Sequence, residues 1–280
     1  MGRLWPAVAI TIGTALLLSA CGGKSEDTLV LGATTSVQDT GLLDEIVSAF
    51  EKESRYRVIP VVSGSGDILE RAKRGELDVI LTHSPVDEAA FVAEGYGLEP
   101  RKVMENYFVV VGPPDDPAGV ASASNPADAL RAISAAGAPF LSRGDNSGTH
   151  KRELAAWDAL DFDPQGSDWY QESAVNQGQN LLVASDKGAY TLVDSATMAI
   201  LRNMVDLKEF VIDRSEPNVY TVTLVNPANN GRVNGNAGRE FAEFVTGAEA
   251  QGLIAQFGRE EFGEALFVPL AGDSRAAVTP

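Results

Sequence analysis

From residue 28 onward, short apolar runs alternate with longer amphipathic stretches, a pattern that predicts an α/β fold of strands covered by helices. Leu29-Val30-Leu31, Val58 to Val62, Asp78 to Leu81 and Tyr107 to Val111 read as strands. Between them, Thr40 to Glu53 predicts a helix with Leu42, Leu43, Ile46, Val47 and Phe50 on one face. Asp67 to Arg74 predicts another, stopped by Gly75. Gly112-Pro113-Pro114-Asp115-Asp116-Pro117 breaks all regular structure, and a crossing between two lobes is expected there. The next block holds a helix with Leu154 and Trp157, a segment around Gln177 to Ala184, and a helix capped by Asp194 that runs through Met198 to Leu201. Val219 to Val225 (VYTVTLV) is a β-rich run that would carry the chain back. Two amphipathic segments follow, around Phe241, Phe244 and Val245 and around Leu253, Ile254 and Phe257. The expected organisation is lobe I from 28–112 and 218–280, and lobe II from 113–217.

The first 27 residues break this pattern. An apolar run from Val8 to Leu18 follows Arg3, too short for a membrane span and suited to a secretory signal. It ends in Leu18-Ser19-Ala20-Cys21, which resembles the lipobox of bacterial lipoproteins, and Cys21 is the only cysteine of the chain. Residues 1–20 are therefore expected to be a lipoprotein signal peptide, Cys21 the lipidation site, and 21–27 a polar tether. A single cysteine allows no intramolecular disulfide. The expected location is extracytoplasmic, held at the cell membrane by lipid.

Charge narrows the partners. The formal net charge is −17 over 280 residues, and removing residues 1–20 takes away Arg3 alone, leaving 21 basic against 39 acidic residues. Such a surface argues against nucleic acid, because neutralising phosphates takes basic side chains. A small anion remains compatible with it, provided its pocket is rich in donors.

Three turns share such a design. Thr34-Thr35-Ser36 follows the first strand, Gly64-Ser65-Gly66 the second, and Ser142-Arg143-Gly144-Asp145-Asn146-Ser147-Gly148-Thr149-His150 leads into a helix of the second block. Each sets hydroxyls, and the second and third also glycine, where a helix start leaves backbone N–H groups unpaired. Each turn alone reads equally as an ordinary cap; their repetition in both blocks points to an oxyanion held between lobes. Arg143 is the one fixed cation in these turns, with Asp145 placed to fix the loop and orient it. Arg143-Gly144-Asp145 also spells an adhesion tripeptide, which would require display to solvent.

Enzyme signals are weak: no GxSxG, HExxH or GxxxxGK[ST] occurs. A hydrolase would need Ser147 or Ser65 as nucleophile with His150 or His83, the only two histidines, as base. His150 is expected to pack at a helix start, whereas His83 could line the cleft or cap a loop.

Taken together, the segments 33–51, 63–85, 105–119, 142–153 and 189–198 resemble the tungstate-binding solute receptors of bacterial ABC importers, within the type II periplasmic-binding-protein class. The resemblance implies a two-lobed α/β fold with the ligand cleft between lobes, and no enzymatic activity or cofactor. It implies tungstate (or a related tetrahedral oxyanion such as molybdate or phosphate) held by Thr34, Thr35, Ser36, Ser65, Arg143, Ser147 and Thr149. A monomeric receptor would deliver it to a permease with a cytosolic ATPase. Ser65 stands where the family carries threonine, and Gln177-Gly178-Gln179-Asn180 where it usually reads Gly-Gln-Gly-Met. Phosphate, which carries a proton near neutral pH, would be favoured by a carboxylate in the cleft, with Asp145 and Asp67 the residues to watch.

Overall fold

Parallel strands need helical crossovers, and the first third of the chain supplies them in turn. The computed structural model describes residues 27–271, so residues 1–26, with Cys21, lie outside the described residues. Strand β1 (Thr28–Thr34) leads into the short helix α1 (Thr35–Asp39) and then α2 (Leu42–Glu53), β2 (Arg57–Ser63) and α3 (Ser65–Lys73). After β3 (Val79–Thr82) and α4 (Pro85–Ala93) comes the long strand β4 (Gly97–Gly112). The central block contains α5 (Pro126–Ala136), β5 (Phe140–Ser142), α6 (Gly148–Asp158), β6 (Tyr170–Glu172), α7 (Gln177–Lys187), β7 (Thr191–Asp194) and α8 (Ser195–Leu201). The chain returns through β8 (Lys208–Val225) and ends in α9 (Gly235–Val245), α10 (Ala248–Gln256), α11 (Arg259–Phe262) and β9 (Val268–Pro269).

The main sheet has the order β2-β1-β3-β8-β4-β7, with β9 added to β4, and β5 and β6 pair separately. Strands β1, β2 and β3 are parallel, while β8 runs antiparallel to both β3 and β4. The apolar face of α2, Leu42, Leu43, Ile46 and Phe50, is buried against Leu29, Leu31 and Val79 of the sheet and Phe241 of α9. Phe50 meets Phe241 edge-on, with ring centroids 5.2 Å apart. On the other sheet face, Ile68, Leu69 and Ala72 of α3 pack with Leu77, Ile80 and Phe91. A second pair of cores gathers Phe108, Leu130, Ile133, Phe140, Trp157 and Tyr190, and separately Val109, Leu141, Leu181, Val193 and Met198.

Two expectations change in detail. The helix expected from Thr40 begins at Leu42, because Gly41 adopts a left-handed φ of 84° and Thr40 turns its hydroxyl onto Val37 O at 2.8 Å. The passage between cores occurs inside β4: Val103 and Met104 join the first core, Phe108 the second. That is upstream of the Gly-Pro turn, and the pairing of β4 with β8 shifts register there, between Asn106 and Phe108. A two-stranded ribbon between cores has no apolar face to advertise. Its residues Glu105 and Asn106 of β4, and Arg214 to Asn218 of β8, therefore hide strand in polar sequence.

Candidate functional site

The three hydroxyl-rich turns converge. Thr34 and Ser36 are buried at the β1–α1 turn, their hydroxyl oxygens 3.2 Å apart, and Thr35 beside them is half-buried. Ser65 opens α3 and is fully buried, yet its Oγ has no hydrogen-bond partner among the described residues. Ser147 caps α6, its Oγ accepting from His150 N at 3.3 Å, and Thr149 is buried one residue into that helix. Glycine makes this convergence possible. A Cβ on Gly64 would lie 3.7 Å from Ser147 Cα, and one on Gly66 3.3 Å from Asn146 O. On Gly148 it would lie 2.6 Å from both the His83 ring and the His83 carbonyl, which forbids any side chain there.

Arg143 is 3% exposed, so the adhesion tripeptide is not presented to solvent. Its Nε donates to Val175 O at 2.8 Å, Nη1 to Gln177 Oε1 at 2.6 Å, and Nη2 to the Asp145 carboxylate. A guanidinium carries five N–H groups, so one on each terminal nitrogen stays uncommitted by these bonds. Burial lowers its pKa from the usual arginine value, and Asp145 acts in the opposite sense. Gln177 thus orients the arginine, the contribution of a segment whose role the sequence left open. Its neighbour Gly178 donates its N–H to Asp39 Oδ2 at 3.2 Å, joining α7 to α1. Lys151 of α6 likewise pairs with Asp87 of α4.

Neither carboxylate watched for phosphate is a free acceptor. Asp145 holds Arg143 and accepts from Ser147 N at 3.1 Å. Asp67 is paired with Arg71 at 2.7 Å on an exposed helix face.

A buried polar chain, not foreseen from the sequence, lies behind the first turn. Asn106 Nδ2 donates to Asp194 Oδ1 at 2.8 Å, and Asn218 Nδ2 donates to Asn106 Oδ1 at 2.8 Å. Asn218 Oδ1 faces His83 Nδ1 at 2.7 Å, and His83 Nε2 lies 3.4 Å from Ser36 Oγ. Tyr220 OH donates to that same Ser36 Oγ at 3.1 Å. Desolvation lowers the His83 pKa to about 4, leaving a neutral imidazole. The Ser36–His83 contact is long, and a phenol donating to the serine oxygen opposes nucleophilic use. Among the described residues, neither serine hydroxyl expected in the hydrolase reading bonds an imidazole: Ser147 Oγ accepts from the His150 backbone N–H, and Ser65 Oγ has no partner. His150 packs at the start of α6 as expected, with Nδ1 accepting from Asn146 N at 3.0 Å, whereas Leu154 faces outward, 38% exposed.

A family model described as "PBP superfamily domain" matches residues 20–249. The chain belongs to the PBP superfamily. Within it, a putative ABC transporter anion-binding protein of Haloferax volcanii is 41% identical over 90% of this chain and 75% of its own length. The tungstate-binding protein TupA of Peptoclostridium acidaminophilum is 36% identical over 97% of this chain and 99% of its own. Among solved structures, the crystal structure of the tungstate ABC transporter from Geobacter sulfurreducens superposes with a TM-score of 0.75 at 36% identity. It covers 84% of this chain and 100% of that one. This is a family of solute-binding proteins rather than enzymes, and its two-lobed fold accounts for the pairing of turns from both ends of β4 and β8. Among the described residues, no helix is long and apolar enough to cross a membrane.

Proposed function

We propose that this chain is an extracytoplasmic receptor that captures tungstate between its lobes and passes it to an ABC permease driven by a cytosolic ATPase. The first lobe would supply Thr34, Thr35, Ser36 and Ser65. The second, which the chain enters within β4 between Met104 and Phe108, would supply Arg143, Ser147 and Thr149. A tetrahedral dianion needs many short donors around one centre, and serine and threonine hydroxyls, backbone N–H groups and one arginine provide them. Donors from both lobes make closure and binding one event.

The observation that carries this reading is Ser65 Oγ, fully buried without a partner at a helix start. A buried hydroxyl left unpaired costs about 1–3 kcal/mol, which a ligand oxygen would recover. Relatives named for tungstate or anion binding support the ligand class. Attachment to the membrane through lipid on Cys21 and a monomeric state complete the proposal. Calorimetric titration with tungstate, molybdate, sulfate and phosphate tests it: tungstate should bind at one site, and binding of phosphate alone would reassign the receptor.

A further inference from the structure

The buried chain behind Ser36 has a direction. Asp194, whose pKa burial raises, ends it as an acceptor: its Oδ1 accepts from Asn106 Nδ2, whose Oδ1 accepts from Asn218 Nδ2. Asn218 has then only Oδ1 to offer His83, which must therefore donate from Nδ1. The bonds from His83 through Asn218 and Asn106 all donate toward Asp194, the orientation that supports positive charge on the imidazole, while the second Asn218 Nδ2 hydrogen goes to Tyr220 OH at 3.1 Å. His83 Nε2 is left facing the Ser36 hydroxyl, while Gly148 of the opposite turn packs against the ring. Arg143, the fixed cation of the site, already has its charge matched by Asp145.

We propose that His83 takes up one proton as the oxyanion enters, so that the ligand is held by two cations, Arg143 and the His83 imidazolium, instead of one. This rests on the oxyanion reading of the site. The proton comes from solvent: neutral His83, one dianion and one H⁺ give the imidazolium–dianion complex, with Nε2 changing from acceptor to donor toward the cleft. Without ligand, burial holds the imidazole neutral, with a pKa near 4. A dianion in the cleft favours the charged form of the imidazole and raises that pKa.

The other charges around His83 are already engaged. From the turn before α6, Arg143 and Asp145 pair with each other; from α4, Asp87 pairs with Lys151 of α6, and Glu88 accepts from Thr82 Oγ1 and Ser84 N. Tyr220 of β8 lies with its ring centroid 4.8 Å from the imidazole, and burial pushes its phenol pKa upward, so it stays protonated. Asp194 acts through the two asparagines. His150, in α6, is buried with its Nε2 unpartnered among the described residues, and desolvation lowers its own pKa.

Calorimetry of tungstate binding in buffers of different ionisation enthalpy counts the protons, and ¹⁵N NMR of the imidazoles shows where they go; the chain has only two histidines. The expected result is about one proton taken up per ligand near neutral pH, with one ring changing from a single protonated nitrogen to two. Affinity should fall by up to about tenfold per pH unit between the pKa of the free protein, about 4, and the higher pKa of the complex. His83→Gln keeps a side-chain donor that does not titrate, and should show no uptake and a flat pH profile. Tight binding by the natural protein with no proton uptake overturns the proposal and leaves the receptor reading intact. Uptake that persists in His83→Gln overturns it as well. No binding of any oxyanion overturns both.

Discussion

Ser65 and Arg143 separate binding from stability at the residue scale. Because the Ser65 hydroxyl has no partner, Ser65→Ala is expected to leave the melting temperature unchanged or raise it. The same substitution should weaken oxyanion binding roughly 10- to 100-fold, the worth of one hydrogen bond to a charged group at about 1.4 kcal/mol per tenfold. A melt and a titration on one preparation test both halves. Arg143→Lys keeps a charge but loses the fork that engages Val175 O, Gln177 and Asp145 together, and should cost binding at least about tenfold. Glu153 gives a pH signature instead. It accepts from Ser142 Oγ, Tyr170 OH and Trp157 Nε1, yet burial raises its carboxyl pKa to about 7. The folded state holds this proton more tightly than the unfolded chain. Its stabilisation is complete below about pH 4.5 and is lost as pH rises through about 7, at up to about 1.4 kcal/mol per pH unit. Urea unfolding across that range should show the decline, and Glu153→Gln should flatten it. The hydroxyl turns were legible in the sequence because each is local, a strand end followed by Ser, Thr or Gly. The chain from His83 to Asp194 was not, because its members lie 135, 112 and 88 positions apart along successive bonds.

Among the elements, helix α6 concentrates the consequence of close approach. Its first residue, Gly148, lies against the His83 ring and carbonyl, and a backbone oxygen cannot move aside as a flexible side chain can. Gly148→Ala should therefore leave the cores and the far-UV circular dichroism spectrum unchanged while lowering affinity at least about tenfold, by holding the turns apart. Strands with a buried face were readable from apolar runs, and α2 from its Leu42, Leu43, Ile46 and Phe50 face. The middle stretches of β4 and β8 were not readable, because ladder hydrogen bonds and not apolar burial hold the ribbon between the cores. In that ribbon the pairing is irregular between Asn106 and Phe108, where the chain passes from one core to the other.

For the whole molecule, two polar contacts outside the turns join elements of different cores. Asp39 receives Gly178 N–H, and Asp87 pairs with Lys151, side chains each about one-third exposed at 33% and 34%. An ion pair that exposed contributes at most about 1 kcal/mol and is screened by salt. Asp87→Asn should thus reduce affinity no more than about fivefold, with the difference vanishing in about 1 M salt. The ligand, and not the rim, is the main source of closure in this account. Its central claim is that donors from both lobes make one oxyanion site, and calorimetry on the purified protein tests that most directly. The account predicts a single site binding tungstate at about micromolar Kd or tighter; failure of tungstate, molybdate, sulfate and phosphate all to bind more tightly than about millimolar would contradict it.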